Sequence, residues 1–255
     1  FQFIVPDLPG SGASEMIDDM SMEGMAEVIK HILDAESLPT SRKERLSNTQ
    51  PVPSEKVPGD GDIARNDVSK WNAPPSRAFL IGHSMGGYIS LAFAEKYQDY
   101  LAGLGLFHST AYPDSEERKA TRKKAIEIIR NDGAQDVLKT MMPNLFSPNS
   151  RANMALKIEQ FVAQTNNFSG AALVSYYEAM MQRPDRTSVL RNLKTPLLMI
   201  AGKFDNAAPL NDLLHLCHLP EISYFHILSE SGHMGMIEEV GKSNQILNDY
   251  LTNVS

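Results

Sequence analysis

The chain has 255 residues, 42% of them hydrophobic, enough for one large α/β domain with a sizeable core. Its formal net charge of −7 speaks against a nucleic-acid surface, and no apolar run is long enough to span a bilayer. The single cysteine, Cys217, excludes an internal disulfide and a cysteine-based metal cluster.

The chain opens on FQFIV, an apolar run that reads as a buried strand, followed by a tight loop through Pro6, Pro9, Gly10 and Gly12. In MEGMAEVIKHILDAE, residues 22–36, the spacing of Met25, Val28, Ile29 and Ile32 predicts a helix. Residues 37–76 carry Pro39, Pro51, Pro53, Pro58, Pro74 and Pro75 and keep no period, which predicts an irregular insertion loop. RAFLIG is then a strand, GGYISLAFAEKY a helix and LAGLGLFHSTA a strand. Residues 112–185 hold helical patterns only: SEERKATRKKAIEIIR, AQDVLKTMMPNLF, RANMALKIEQFVAQ and SGAALVSYYEAMMQ. Arg118, Lys119, Arg122, Lys123 and Lys124 in the first of these are interleaved with acids and read as a solvated face. TPLLMIAG and EISYFHIL return as strands, with a helix around Leu210 to His218 between them and a closing helix around Val240 to Leu251.

Strands alternating with helices predict an α/β fold: a mostly parallel sheet with helices on both faces. The core is expected from 1–111 and 186–255. The helical block 112–185 interrupts it where an inserted lid over the carboxyl ends of the strands would sit.

GHSMG, residues 82–86, lies between a strand pattern and a helix pattern. A serine at such a turn is either a helix cap or a nucleophile. The flanking Gly82 and Gly86, with Gly87 beyond, favour the nucleophile, since glycine removes a collision with neighbouring backbone in a strained strand-to-helix elbow. The helix that follows aims its N-terminus at developing negative charge. A serine hydroxyl needs a base, and the base needs an orienting carboxylate. Asp205 follows TPLLMIAG and His233 follows EISYFHIL, so both leave strands on the side of Ser84, in the order Ser, Asp, His.

The other polar candidates have plainer readings. His83 packs in the elbow. His108 ends a strand and either lines the substrate pocket or is a satisfied buried histidine. Asp114 is the reserve for the triad acid. His31, His215, His218 and His226 are structural; His215 and His218 have metal-ligand spacing without a third ligand. Met142 in the helical block and Met234 beside His233 are candidate substrate contacts, because methionine adapts to an acyl group.

The segments IVPDLPGSGAS, FLIGHSMGGYISLAFAEKY, MIAGKFDNAAP and SGHMGMIEE, spread over nearly the whole chain, resemble the α/β-hydrolase superfamily in its lidded serine esterase-like branch. The resemblance implies Ser84 as nucleophile, His233 as general base and then acid, and Asp205 as its partner. It implies an oxyanion hole from the Met85 backbone N–H and a second N–H from a His-Gly loop that precedes the FQFIV segment in relatives. This sequence has no His-Gly pair. The expectation is therefore a natural protein longer at its N-terminus, or else direct pairing of FQFIV with FLIGHS.

The function this implies is cleavage of a carboxylic ester through an acyl-enzyme, with a small-molecule ester or acyl substrate. No cofactor, metal or nucleic acid is expected. The molecule would be a cytoplasmic monomer or homodimer. Acyltransferase, carbon–carbon bond hydrolase, cofactor-free peroxidase and aminopeptidase branches share these residues. A catalytically weak ligand-binding member is the alternative from another class.

Overall fold

A computed structural model describes residues 1–37, 77–164 and 169–254. Among the described residues four strands form one parallel sheet in the order β1 (Ala78–His83), β2 (Leu101–Phe107), β3 (Leu197–Gly202) and β4 (Ser223–Leu228). Helix α1 (Met22–Ser37) precedes β1, and α2 (Met85–Tyr97) follows it after one residue, Ser84. The expected insertion at 37–76 lies outside the described residues, apart from Ser37.

The period-2 pattern of the strands divides the core in two. Leu104, Leu106, Leu197, Met199 and Ala201 face the cluster built with α1 and α2. Phe107, Leu198 and Ile200 face the cluster built with the closing helix α11 (Val240–Val254). Helices thus cover both faces, as the alternation of elements required. Tyr250 of α11 lies against the bare backbone at Gly103, and its single hydroxyl proton has Pro196 O at 2.7 Å as the nearer acceptor and Leu104 O at 3.2 Å as the farther one.

Between β2 and β3 the described residues are helical: α3 (Glu116–Asp132), α4 (Ala134–Met141), α5 (Pro148–Asn153), α6 (Ala155–Gln164), α7 (Gly170–Gln182) and the short α8 (Thr187–Arg191), while α9 (Leu210–Leu216) follows β3 and α10 (Gly235–Glu238) follows β4. Ser115, Ser147 and Ser169 cap three of them through side-chain oxygens, which marks each start locally in the sequence. The block is tied to the rest of the molecule by Tyr176, whose hydroxyl donates to Pro9 O at 2.5 Å, and by backbone contacts at Leu145 and Ser147 described below.

FQFIV does not form the expected strand. Residues 1–8 join no ladder, and Phe1, Phe3 and Val5 are 73%, 75% and 92% exposed. Among the described residues β1 pairs with β2 alone, so FQFIV is not paired with FLIGHS either. An apolar run becomes a strand only when its N–H and C=O groups meet a neighbouring edge.

Candidate active site

The elbow is built by one residue in a costly backbone conformation. Ser84 has φ 52° and ψ −118°, which a side chain rarely adopts and which persists only where its surroundings hold it. Its N–H donates to Phe107 O at 3.0 Å, and its carbonyl accepts from Ser109 Oγ at 2.8 Å and Gly87 N at 2.9 Å. The side chain makes no capping bond to α2. The helix-cap alternative therefore has no support, and Oγ is free to point elsewhere.

The glycines divide differently from the sequence expectation. A Cβ on Gly82 would press into the backbone of Gly86 and Gly87, and one on Gly87 into the side chain of Ser109, whereas one on Gly86 meets nothing within 4 Å. The close approach is thus between residues 82 and 86–87, with only the first glycine of the motif yielding space. Gly82→Ala is expected to cost about 1–3 kcal/mol or more, as overpacking does. Gly86→Ala is expected to hold or gain stability, by up to about 1 kcal/mol of helix propensity. Thermal melts of the two variants check this; equal losses would contradict it.

The three residues singled out on separate strand ends meet. Ser84 Oγ lies 2.8 Å from His233 Nε2, and His233 Nδ1 lies 2.8 Å from Asp205 Oδ2. With Asp205 accepting at Nδ1, the Nε2 atom is the acceptor for the serine hydroxyl. Asp205 and His233 are each 4% exposed. Asp205 Oδ1 accepts the N–H groups of Ala207 at 2.8 Å and Ala208 at 2.9 Å. Burial alone would raise this carboxyl, but hydrogen bonds from His108 and His233 outweigh it and hold Asp205 well below the usual carboxylate range. Met85 is the first residue of α2, so its N–H has no intrahelical acceptor and lies beside the serine at the positive end of the helix.

His108 does not line an open pocket as one expectation had it. It is fully buried and bonded to Asp205 Oδ2 at 3.0 Å through Nδ1. Met234 is buried against Phe146 and Ile158, and Met142 is half-buried on the main core. Asp114 is committed elsewhere: its carboxylate lies 2.6 Å from Arg122 Nε and 2.8 Å from an Arg183 guanidinium nitrogen. It makes no hydrogen bond to a histidine, which removes it as reserve acid.

Sequence reasoning missed Glu238. Its carboxylate accepts Gly232 N at 2.8 Å, Met234 N at 3.2 Å and Ser147 N at 2.8 Å, and His233 N donates to Leu145 O at 2.6 Å. The loop carrying His233 is therefore laced to the helical block on both sides of the imidazole. The acidic pair closing SGHMGMIEE was the available signal, since a buried run of backbone N–H groups needs acceptors. A cavity of about 890 Å³ lies within the block, lined by Lys139, Pro143, Arg151, Ile158, Glu159 and Val162 among others. Ile158 also packs on Phe146 and Met234, next to His233.

His108, Asp205 and His233 have metal-ligand atoms within 4.8 Å of one another. Their contacts are N–H···O hydrogen bonds, and a cation would have to displace the protons that make them. The chemistry of this set suits proton transfer better than metal ligation.

His83 is half-buried beside these three. Its Nε2–H donates to His233 O at 2.9 Å. Loss of hydration, reinforced by the neighbouring imidazoles of His233 and His108, pushes the His83 imidazole down to about 3, and burial also lowers His108 against the pull of Asp205. Both rings are neutral in the fold and gain protons on unfolding below the ordinary histidine value of about 6.5. The unfolded state then binds more protons, so stability is lost as pH falls from about 6.5 toward 3. The melting temperature is expected to decline already between pH 6.5 and 5, and His83→Gln to flatten that decline. A constant melting temperature over that interval would contradict the prediction.

A sequence model of the family described as serine aminopeptidase, S33, matches residues 62–217. The chain is 29% identical over 181 residues to a 2-hydroxy-6-oxononadienedioate/2-hydroxy-6-oxononatrienedioate hydrolase of Paraburkholderia phymatum, covering 69% of this chain and 62% of that protein. The chain thus spans less than two thirds of that relative's length. Among solved structures, a thermophilic esterase from Thermogutta terrifontis superposes with a TM-score of 0.77 at 27% identity, covering 98% of this chain and 79% of that one. An enol-lactonase from Burkholderia xenovorans superposes with a TM-score of 0.73 at 19% identity, covering 96% and 78%, a likeness of fold.

Proposed function

The chain belongs to the serine aminopeptidase S33 family of α/β-hydrolases, and we propose that it is a serine hydrolase that cleaves carboxylic esters through an acyl-enzyme. The observation that carries this is the unbroken relay from Ser84 Oγ through His233 to Asp205, with both links at 2.8 Å.

In this reading Ser84 Oγ attacks the ester carbonyl as its proton passes to His233 Nε2. The oxyanion forms beside the Met85 N–H, at the N-terminus of a 13-residue helix. Asp205, held ionised by its hydrogen bonds, stabilises the imidazolium without taking its proton. The imidazolium then protonates the leaving alkoxide as the C–O bond breaks. Water, deprotonated by the same nitrogen, releases the acid and restores Ser84. The helices within 112–185 act as the lid, and Met142 and Met234 contact the acyl group. The 27% identical esterase supports the substrate class.

A second reading is favoured by the 29% identical relative, whose named substrate is a 2-hydroxy-6-oxo dienedioate and not an ester. There the same serine would cleave a carbon–carbon bond next to a ketone. A p-nitrophenyl ester series run beside a 6-oxo-dienoate separates the two. Labelling by a fluorophosphonate probe, located on the 82–87 peptide by mass spectrometry, tests the nucleophile common to both. An unlabelled peptide under conditions that label a control esterase rejects the proposal.

A further inference from the structure

His108 closes a ring of hydrogen bonds around Asp205 that the triad alone does not require. It follows β2 directly, in a left-handed backbone conformation with φ 51°, and its N–H donates to Ile200 O at 2.9 Å. The Gly235 N–H lies 3.2 Å from His108 Nε2. An N–H can only donate, so Nε2 is the acceptor and the ring proton sits on Nδ1. That proton points at Asp205 Oδ2, 3.0 Å away, the same oxygen that accepts from His233 Nδ1 at 2.8 Å. Oδ1 is occupied by two backbone amides. Every direction around the carboxylate is therefore fixed, and Gly235 opens the short helix Gly235–Glu238 two residues after His233.

Burial explains why the ring needs partners but not why it is there. An apolar side chain would fill the same space with no polar atoms to satisfy. What the imidazole adds is a donor on Oδ2. We propose that His108 is a positioning residue of the Ser84–His233–Asp205 relay. Its Nδ1–H takes one lone pair of Oδ2, leaving His233 the other and thereby aiming Nε2 at Ser84. It also draws charge from the carboxylate, so that His233 releases its proton to the leaving group more readily. The inference rests on the triad reading above. The charged and titratable groups that face His108 are Asp205, His233 and His83, with Glu238 farther off.

Two substitutions separate the ring's two bonds. His108→Gln carries an acceptor where Nε2 was, for Gly235, but no donor where Nδ1 was. His108→Asn carries a donor at the Nδ1 position and tolerates a left-handed backbone. With p-nitrophenyl acetate, His108→Gln is expected to lower kcat by about 10- to 100-fold, the scale of a small misplacement of reacting groups, while KM changes little. Without the donor Asp205 is more basic, the imidazolium is better stabilised, and the acid limb of kcat/KM moves to higher pH. His108→Asn should recover most of the lost kcat and bring the limb back.

Parental kcat in His108→Gln, or equal losses in both variants with an unmoved limb, would overturn the proposal. Histidine 15N NMR on the unsubstituted chain decides it independently of how the variants fold: Nδ1 of His108 must carry the proton, and the opposite tautomer ends the argument. Asp205→Asn is the control. If it leaves turnover intact the triad reading fails; if it cripples turnover while His108→Gln does not, only the role of His108 fails.

Discussion

Ser84→Ala is expected to lower ester turnover by roughly a thousand-fold or more, leaving what the oxyanion site and substrate binding supply. Oγ is the hydroxyl bonded to His233 Nε2, and the acyl-enzyme cannot form without it. The substitution is a clean one. It keeps Cβ, so the strained φ of 52° changes little, and Oγ caps no helix, so no backbone group loses a partner. The melting temperature should stay near the parent's while fluorophosphonate labelling disappears. Turnover within a few-fold of the parent would remove Ser84 as nucleophile.

The elbow was legible because two periods meet there. RAFLIG reads as a strand and GGYISLAFAEKY as a helix, which leaves His83, Ser84 and Met85 for the turn, and the structure narrows it to Ser84 alone. Asp205 and His233 were legible because parallel strands put their carboxyl ends on one side, so strand-end residues far apart in sequence converge. The resemblance of the motifs to a known superfamily named the same three.

What failed was whatever depends on a neighbour the pattern does not show. FQFIV has strand composition, yet pairing is a property of two edges, and residues 1–8 have no partner edge. Gly86 belongs to the motif, yet only the packed structure shows open space where its Cβ would go. Of the two readings open for His108 the pocket residue fails and the satisfied buried histidine holds, in a left-handed turn with its ring on Asp205. Glu238 acts through three backbone N–H groups, which no side-chain pattern displays.

The two aspartates make the sharpest contrast. Asp205→Asn is expected to lower kcat by about ten-thousand-fold, as a lost orienting carboxylate does in a serine protease. The physical reason lies in the donors. His233 Nδ1 and His108 Nδ1 both donate to Oδ2, and Oδ1 already accepts two backbone amides. An amide must present NH₂ to one of these pairs, so it either faces two backbone N–H groups or turns donors toward both imidazoles. The second arrangement drives His233 to the tautomer with its proton on Nε2, which cannot accept from Ser84. Asp114→Asn should act on stability instead. Arg122 and Arg183 hold this buried carboxylate below its usual range despite the opposing effect of burial, and Arg183 also lies 3.9 Å from the Tyr88 ring centroid on α2. Neutralising the carboxylate leaves both guanidinium groups short of a counter-charge and should lower the melting temperature, with kcat within a few-fold of the parent. Steady-state kinetics and melts on the two variants test this. If Asp114→Asn abolished turnover and Asp205→Asn spared it, the acid would follow β2 rather than β3, and the relay drawn here would be wrong.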